Sequence, residues 1–253
     1  MNKKALGYRH IVAILIGLII FLLFAFALRP SSGDIFEGTN FISNFFNRSV
    51  SHKVVAPDFD SLEISRVEFK NFVLHVNQNY VNFRGDDNRR CACGDNCERY
   101  ANAIWDAAND SERPVNPVLV LSLMMQESNC RPSVSTESSI GILQINCGVW
   151  CDEKNKNIVD FFGDANCCDI LRNDVERNIE AGVSILAHYY YDFGGANSVA
   201  NFRGCNLRTT YSGWLAALRR YNGLGCDRNY QEQDFFVPEI VDRYNVLVKN
   251  IPG

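Results

Sequence analysis

The sequence lacks a basic excess. Its 25 Lys and Arg residues stand against 29 Asp and Glu, for a formal charge of −4. Binding along nucleic-acid phosphates needs a basic face, so this balance argues against a nucleic-acid partner. Histidine is scarce: there are four, and none falls in a C-x2-C…H-x3-H frame. That argues against a zinc finger, and no cofactor is expected. Internal repeats and low-complexity tracts are absent. So is cysteine before residue 91, yet ten cysteines follow. An even number confined to one region reads as a disulfide framework in an oxidising compartment. A zinc site is the rival reading, given the C-x-C-x3-C spacing of Cys91, Cys93 and Cys97 and the C-x3-C of Cys147 and Cys151. Ten cysteines allow about 945 pairings, so connectivity is not readable. Cys167 and Cys168 are adjacent and are expected to bond two different partners.

Charge is also missing from Ile11 to Leu28, "IVAILIGLIIFLLFAFAL", which is long enough to span a bilayer as a helix. Lys3, Lys4 and Arg9 precede it. The positive-inside rule then puts residues 1–10 in the cytoplasm and the rest of the chain outside. An uncleaved signal anchor is the favoured reading. The alternative is secretion after cleavage near Ala27, since "AFA" at Ala25 to Ala27 offers an A-x-A site. Either way, the cysteines would sit in an oxidising compartment.

Residues 29–96 read as an extracytoplasmic stalk and N-terminal extension. Within them, Phe69, Phe72, Val73, Val76, Tyr80 and Phe83 suit one helical face over Val67 to Phe83, although strand alternation fits part of it. The folded domain is read as 97–253. Tyr100, Ala101, Ile104, Trp105 and Ala108 make a helical stripe. Asn116 is a good N-cap, Pro117 suits the first helical position, and a buried helix should run from Pro117 to about Ser128. Ile179, Val183, Leu186 and Tyr190 recur at helical spacing, and Trp214 to Tyr221 and Val237 to Val248 are further helices. No run of alternating strands is evident after Cys97. The fold class is mainly α.

"LMMQESNC", Leu123 to Cys130, ends the apolar helix on one acid, Glu127. The negative end of the helix dipole and burial against Met124 and Met125 both raise a carboxyl pKa. A glutamic acid kept protonated near neutral pH is what a general acid for glycosidic cleavage requires. Alone, a Glu at a helix end more often simply faces water.

Further blocks change that weighting. "QESNCRPSVS…SSIGILQIN" resembles the core motif of the soluble lytic transglycosylase family, a lysozyme-like, goose-type-lysozyme-related group that cleaves peptidoglycan. "DVERNIEAGVSIL", "LAALRRYNG" and "FVPEIVDRY" are similar to the family's later blocks, in the right order, over about Tyr100 to Tyr244. The resemblance implies a disulfide-stapled lysozyme-like helical domain behind the membrane helix. It implies Glu127 as sole general acid and base, with Ser128 near it. Gln144 and Tyr221 would bond the substrate or the Glu127 carboxyl, Asn222 would shape the cleft floor, and Gly141 would let the backbone pass close to the sugar. The implied product is a 1,6-anhydromuramyl sugar. A hydrolase normally needs a second carboxylate, which Glu137, Asp152 or Glu153 could supply. A goose-type-lysozyme-like hydrolase and an inactive glycan-binding module therefore stand as alternatives. Cell-wall glycan is the expected partner, along with the membrane through residues 11–28 and partners in an envelope or secretion assembly.

The chain departs from the family in three places. The loop between Glu127 and Gly141 is slightly short, Cys130 replaces an aromatic residue, and Cys147 to Cys168 is a cysteine-rich insertion. Cys130 is expected to tie the helix end to that insertion.

Overall fold

A computed structural model describes residues 56–60, 63–78, 91–109, 112–136, 138–204, 207–223 and 232–251, all within the unit His52–Gly253. The expected membrane anchor Ile11–Leu28 lies outside these residues, as do Cys205 and Cys226. No helix among the described residues is long and apolar enough to cross a membrane.

The central element is α3 (Pro117–Ser128). Asn116 caps it, its side-chain oxygen accepting from the backbone N–H groups of Val118 at 2.9 Å and Leu119 at 3.2 Å. Pro117 fills the first turn, where its missing N–H costs nothing. Val118 to Met125 are all buried, so the helix is enclosed on every side rather than amphipathic. It stops because Asn129 turns left-handed, at φ 53°.

Other helices enclose it. α1 (Arg66–Gln78) packs on α2 (Cys97–Ala108). Phe69, Phe72, Val73 and Val76, at i, i+3, i+4 and i+7, are completely buried, which selects helix over strand for this segment. α1 belongs to the same core as α3, so the packed unit extends upstream of the boundary read at residue 97. The short α4 (Cys147–Trp150) and α5 (Cys167–Asn173) lead into α6 (Val175–Tyr191), whose N-cap Asp174 accepts from the Arg177 N–H. α6 packs on α2 and on α7 (Gly213–Tyr221), and α8 (Glu232–Lys249) packs on α3.

The domain is mainly helical as expected, and two antiparallel strand pairs that were not evident in the sequence interrupt the helices. β1 (Ser139–Ile140) pairs with β2 (Ile145–Asn146), closing the segment after α3. β3 (Val199–Gly204) pairs with β4 (Leu207–Ser212). Ala200 opposite Tyr211 is buried, while Val199 is exposed. A single two-stranded hairpin offers only a short stretch of alternation to read.

Eight cysteines form four disulfides: Cys91–Cys130, Cys93–Cys97, Cys147–Cys168 and Cys151–Cys167. Cys167 and Cys168 do take different partners. Cys130 does not reach the insertion. The chain turns left-handed through Asn129 and Cys130 (φ 59°), and this aims Cys130 at Cys91, where the Ala92 N–H also donates to the Asn129 carbonyl at 2.9 Å. This bridge spans 39 residues and fastens the end of α3 to the chain ahead of α2. Replacing both Cys91 and Cys130 by Ala should lower unfolding free energy by about 2–4 kcal/mol, measured by urea denaturation.

Candidate active site

Glu127 occupies the last turn of α3, half-buried. Its carboxyl receives no hydrogen bond among the described residues, so nothing compensates the lost hydration. Burial pushes its pKa up from 4.5 to about 8. The acid is therefore mostly protonated at neutral pH.

The segment from Ile140 to Gln144 passes beside this helix end and is held from three sides. Ser128 is buried, its hydroxyl 2.7 Å from the Ile142 carbonyl and 3.2 Å from that of Met124. Its one proton therefore joins the helix end to the loop or closes the helix turn. Ser128 lies next to Glu127 as expected, and its buried hydroxyl positions the loop. Gln144, at φ 48°, spends both amide hydrogens on loop carbonyls, those of Val134 at 2.8 Å and Gly141 at 2.7 Å. Only its Oε1 is left to meet a ligand. The Tyr221 hydroxyl, from the end of α7, donates to the Leu143 carbonyl at 2.8 Å. Burial raises the Tyr221 pKa well above its ordinary value, and the charges of Glu127 and then Tyr189 add to the effect. Tyr221 therefore lies close enough to Glu127 for their charges to interact.

Gly141 acts differently from its expected role. Its φ is +77°, and a Cβ there would lie 2.6 Å from Asn178 Cγ and 2.9 Å from the Leu171 carbonyl oxygen. The bare position makes room for Asn178 rather than for sugar. Asn222 caps α7, its N–H donating to the Leu218 carbonyl at 3.2 Å, and is half-buried beside Tyr221. The loop and the two helix ends thus bring Ser128, Gly141, Gln144 and Tyr221 into one hydrogen-bonded unit next to Glu127, with Asn222 at its edge.

The family model described as Transglycosylase SLT domain matches residues 104–240, more than half of the chain. The chain belongs to the SLT transglycosylase family. Members of this family are lytic transglycosylases, glycan lyases that act on peptidoglycan. No curated protein and no solved structure matches the chain.

Two residues of the SLT domain carry the site without having been singled out by sequence reasoning. Asn178 is buried on α6, with Oδ1 accepting from the Leu143 N–H at 2.9 Å. Its Nδ2 donates to the carbonyls of Ile140 at 3.1 Å and Leu171 at 2.9 Å. Gly182 lies one turn further along α6, where a Cβ would come 2.9 Å from Leu143 Cβ and 3.0 Å from the Tyr221 hydroxyl. Both stand in the "NIEAG" of a block that resembles the family, which was their available signal.

Two of the candidate second carboxylates are engaged in local ion pairs. Asp152 and Glu153 are exposed and pair with Lys154 and Lys156 of their own turn. The Lys154 backbone N–H and its ammonium hold the Asp152 carboxyl below its ordinary pKa. Glu137 lies outside the described residues.

Two measurements probe this arrangement. Asn178→Ala strands several buried loop groups at roughly 1–3 kcal/mol each, so unfolding free energy by urea titration should drop by about 3 kcal/mol or more. Glu127 binds its proton more tightly folded than unfolded. Its stability contribution is full below about pH 4.5 and is lost as pH rises through about 8. Glu127→Gln should therefore raise Tm at pH 9 and leave it nearly unchanged at pH 4, with each kcal/mol relieved adding roughly 2–4 °C by calorimetry.

Proposed function

We propose that this chain cleaves β-1,4-glycosidic bonds of peptidoglycan with Glu127 as single general acid and base, leaving 1,6-anhydromuramyl ends. The observation that carries this reading is the unpaired, desolvated Glu127 carboxyl, with a pKa of about 8, beside Tyr221 and the Gln144 loop of an SLT domain.

Protonated Glu127 donates to the bridging oxygen following a muramyl residue as the bond from that oxygen to C1 breaks. The carboxylate left behind then accepts the proton of the muramyl C6 hydroxyl while that oxygen bonds to C1. The ring closes, Glu127 regains its proton, and no water is consumed. One acid suffices because the substrate supplies its own nucleophile, whereas hydrolysis calls for a second carboxylate to direct water. Gln144 Oε1 and Tyr221 Oη border the reacting bond and orient the sugar. Glu127 sets the upper pH limit, and turnover declines as the acid ionises above about pH 8.

The N-terminal run Ile11–Leu28 anchors the chain, so that the disulfide-stapled domain works on the extracytoplasmic side. There it serves as a local cell-wall opener in an envelope or secretion assembly.

Purified sacculi digested with the wild-type chain should release anhydromuropeptides by mass spectrometry. Glu127→Gln should cut turnover by at least about 10²-fold, the usual scale of losing a general acid. Products with only hydrolysed reducing ends would replace this reading with a lysozyme-type hydrolase.

A further inference from the structure

The cysteine-rich insertion leaves the cleft loop directly. Asn146, at the end of β2, caps α4 by accepting from the Val149 N–H, and α4 ends on Trp150, six residues beyond Gln144. Disulfides flank this tryptophan closely: Cys147 and Cys151 bond to Cys168 and Cys167. The Asn155 amide donates to the Trp150 carbonyl at 3.3 Å and to that of Val149 at 3.0 Å. The indole is half-buried against Tyr189, with ring centroids 5.6 Å apart, and against Phe162 at 6.2 Å.

Tyr189 continues the cluster to Phe193 at 5.7 Å. Phe193 is 46% exposed, one of the few large apolar side chains left in water. The Arg220 guanidinium lies over its ring, 4.6 Å from the centroid. Arg220 is bonded to the Ser198 hydroxyl at 2.6 Å and to the Val199 carbonyl at 2.8 Å. Both are neutral, and no carboxylate among the described residues meets its charge. The rest of the tyrosine run is used otherwise. Tyr190 is buried and stacked on Trp214 at 3.8 Å, and the Tyr191 hydroxyl donates to the Pro114 carbonyl.

The platform lies near Tyr221, whose charge interacts with that of Tyr189. Arg220 precedes Tyr221 in the chain. Tyr189 lies seven residues after Gly182, on the same face of α6, about 10 Å further along the axis. Gly182 itself faces the Tyr221 hydroxyl. A glycan strand held at Glu127 and extended along α6 therefore meets the aromatic rings.

We propose that Trp150, Tyr189, Phe193 and Arg220 form an extended subsite for the peptidoglycan strand, the aromatic rings stacking on a sugar face and Arg220 taking a carboxylate on a muramyl residue. The chemistry follows from the parts. Aromatic faces pack on the apolar C–H face of a pyranose, and a guanidinium without an acidic partner binds a carboxylate through charge-assisted hydrogen bonds. Muramyl carboxylates come from the lactyl group or from the stem peptide. The subsite rests on the peptidoglycan reading above and adds to it a preference for long, muramyl-bearing strands.

The test is binding, by isothermal calorimetry, to the Glu127→Gln protein, which holds strands without cutting them. The probes are peptide-bearing glycan strands, peptide-stripped strands and chitin oligosaccharides. Phe193→Ala should weaken all three about tenfold, corresponding to about 1.4 kcal/mol. Arg220→Gln should weaken only the muramyl strands, with Arg220→Lys recovering most of the loss. Loss confined to peptide-bearing strands assigns the carboxylate to the stem peptide, and loss confined to peptide-stripped strands, where the lactyl carboxyl is released from its amide, assigns it to the lactyl group. Unchanged affinities with unchanged thermal unfolding would overturn the subsite, as would failure of the Glu127→Gln protein to bind any strand. Failure of the catalytic reading shows separately, as sacculi left uncut by the wild-type chain.

Discussion

The site depends on one buried amide. Asn178 reaches from α6 to a loop that has almost no regular structure of its own, meets the Leu143 N–H and the Ile140 carbonyl on its backbone, and ties them to the Leu171 carbonyl of α5. A turn of this kind, crossing the core side of a helix end, would otherwise carry backbone groups with no water to satisfy them. Gly141 is bare so that Asn178 can approach, and Gly182 is bare so that Leu143 and the Tyr221 ring can lie against the same helix. The loop's conformation, and with it the placement of Gln144 and the Leu143 carbonyl, is set by these three positions together.

Glu127 then owes its chemistry to what surrounds it rather than to a charged partner. It ends a helix whose residues from Pro117 to Met125 are buried and, Ser122 apart, apolar, and the loop that could have offered it donors spends them internally. Ser128 and Gln144 give their hydrogens to carbonyls, and Tyr221 does the same. An acid surrounded by committed donors has little to stabilise its anion. The polar residues of the motif thus leave the Glu127 carboxyl without a bond from them.

Much of the scaffold was legible because it follows from local rules. The N-cap of α3, its proline and its unbroken apolar run define that helix without tertiary information, and the later apolar stripes define α6, α7 and α8. Glu127 was legible from its place at the end of that run combined with the blocks that follow. Residues acting through the tertiary fold were not. Asn178 in mid-helix looks like an ordinary polar residue until the loop is laid against it. Gly141 was found, but with a role aimed at substrate, because the sequence shows which residues lie near the acid and not which way they face. The partner of Cys130 was missed for a similar reason, since a left-handed pair of residues reverses the direction in which the side chain leaves the helix.

The two disulfides of the insertion close onto each other. Cys147 and Cys151 at one end meet Cys168 and Cys167 at the other, over separations of 21 and 16 residues, and neither reaches another part of the domain. The segment is therefore a sealed cassette whose ends are fixed between the cleft loop and the start of α6. Its exposed turns can change while its buried Phe161 and Phe162 and its half-buried Trp150 keep it packed against α6. Within such a frame, strand preference can diverge while the acid and its supporting amide stay as they are.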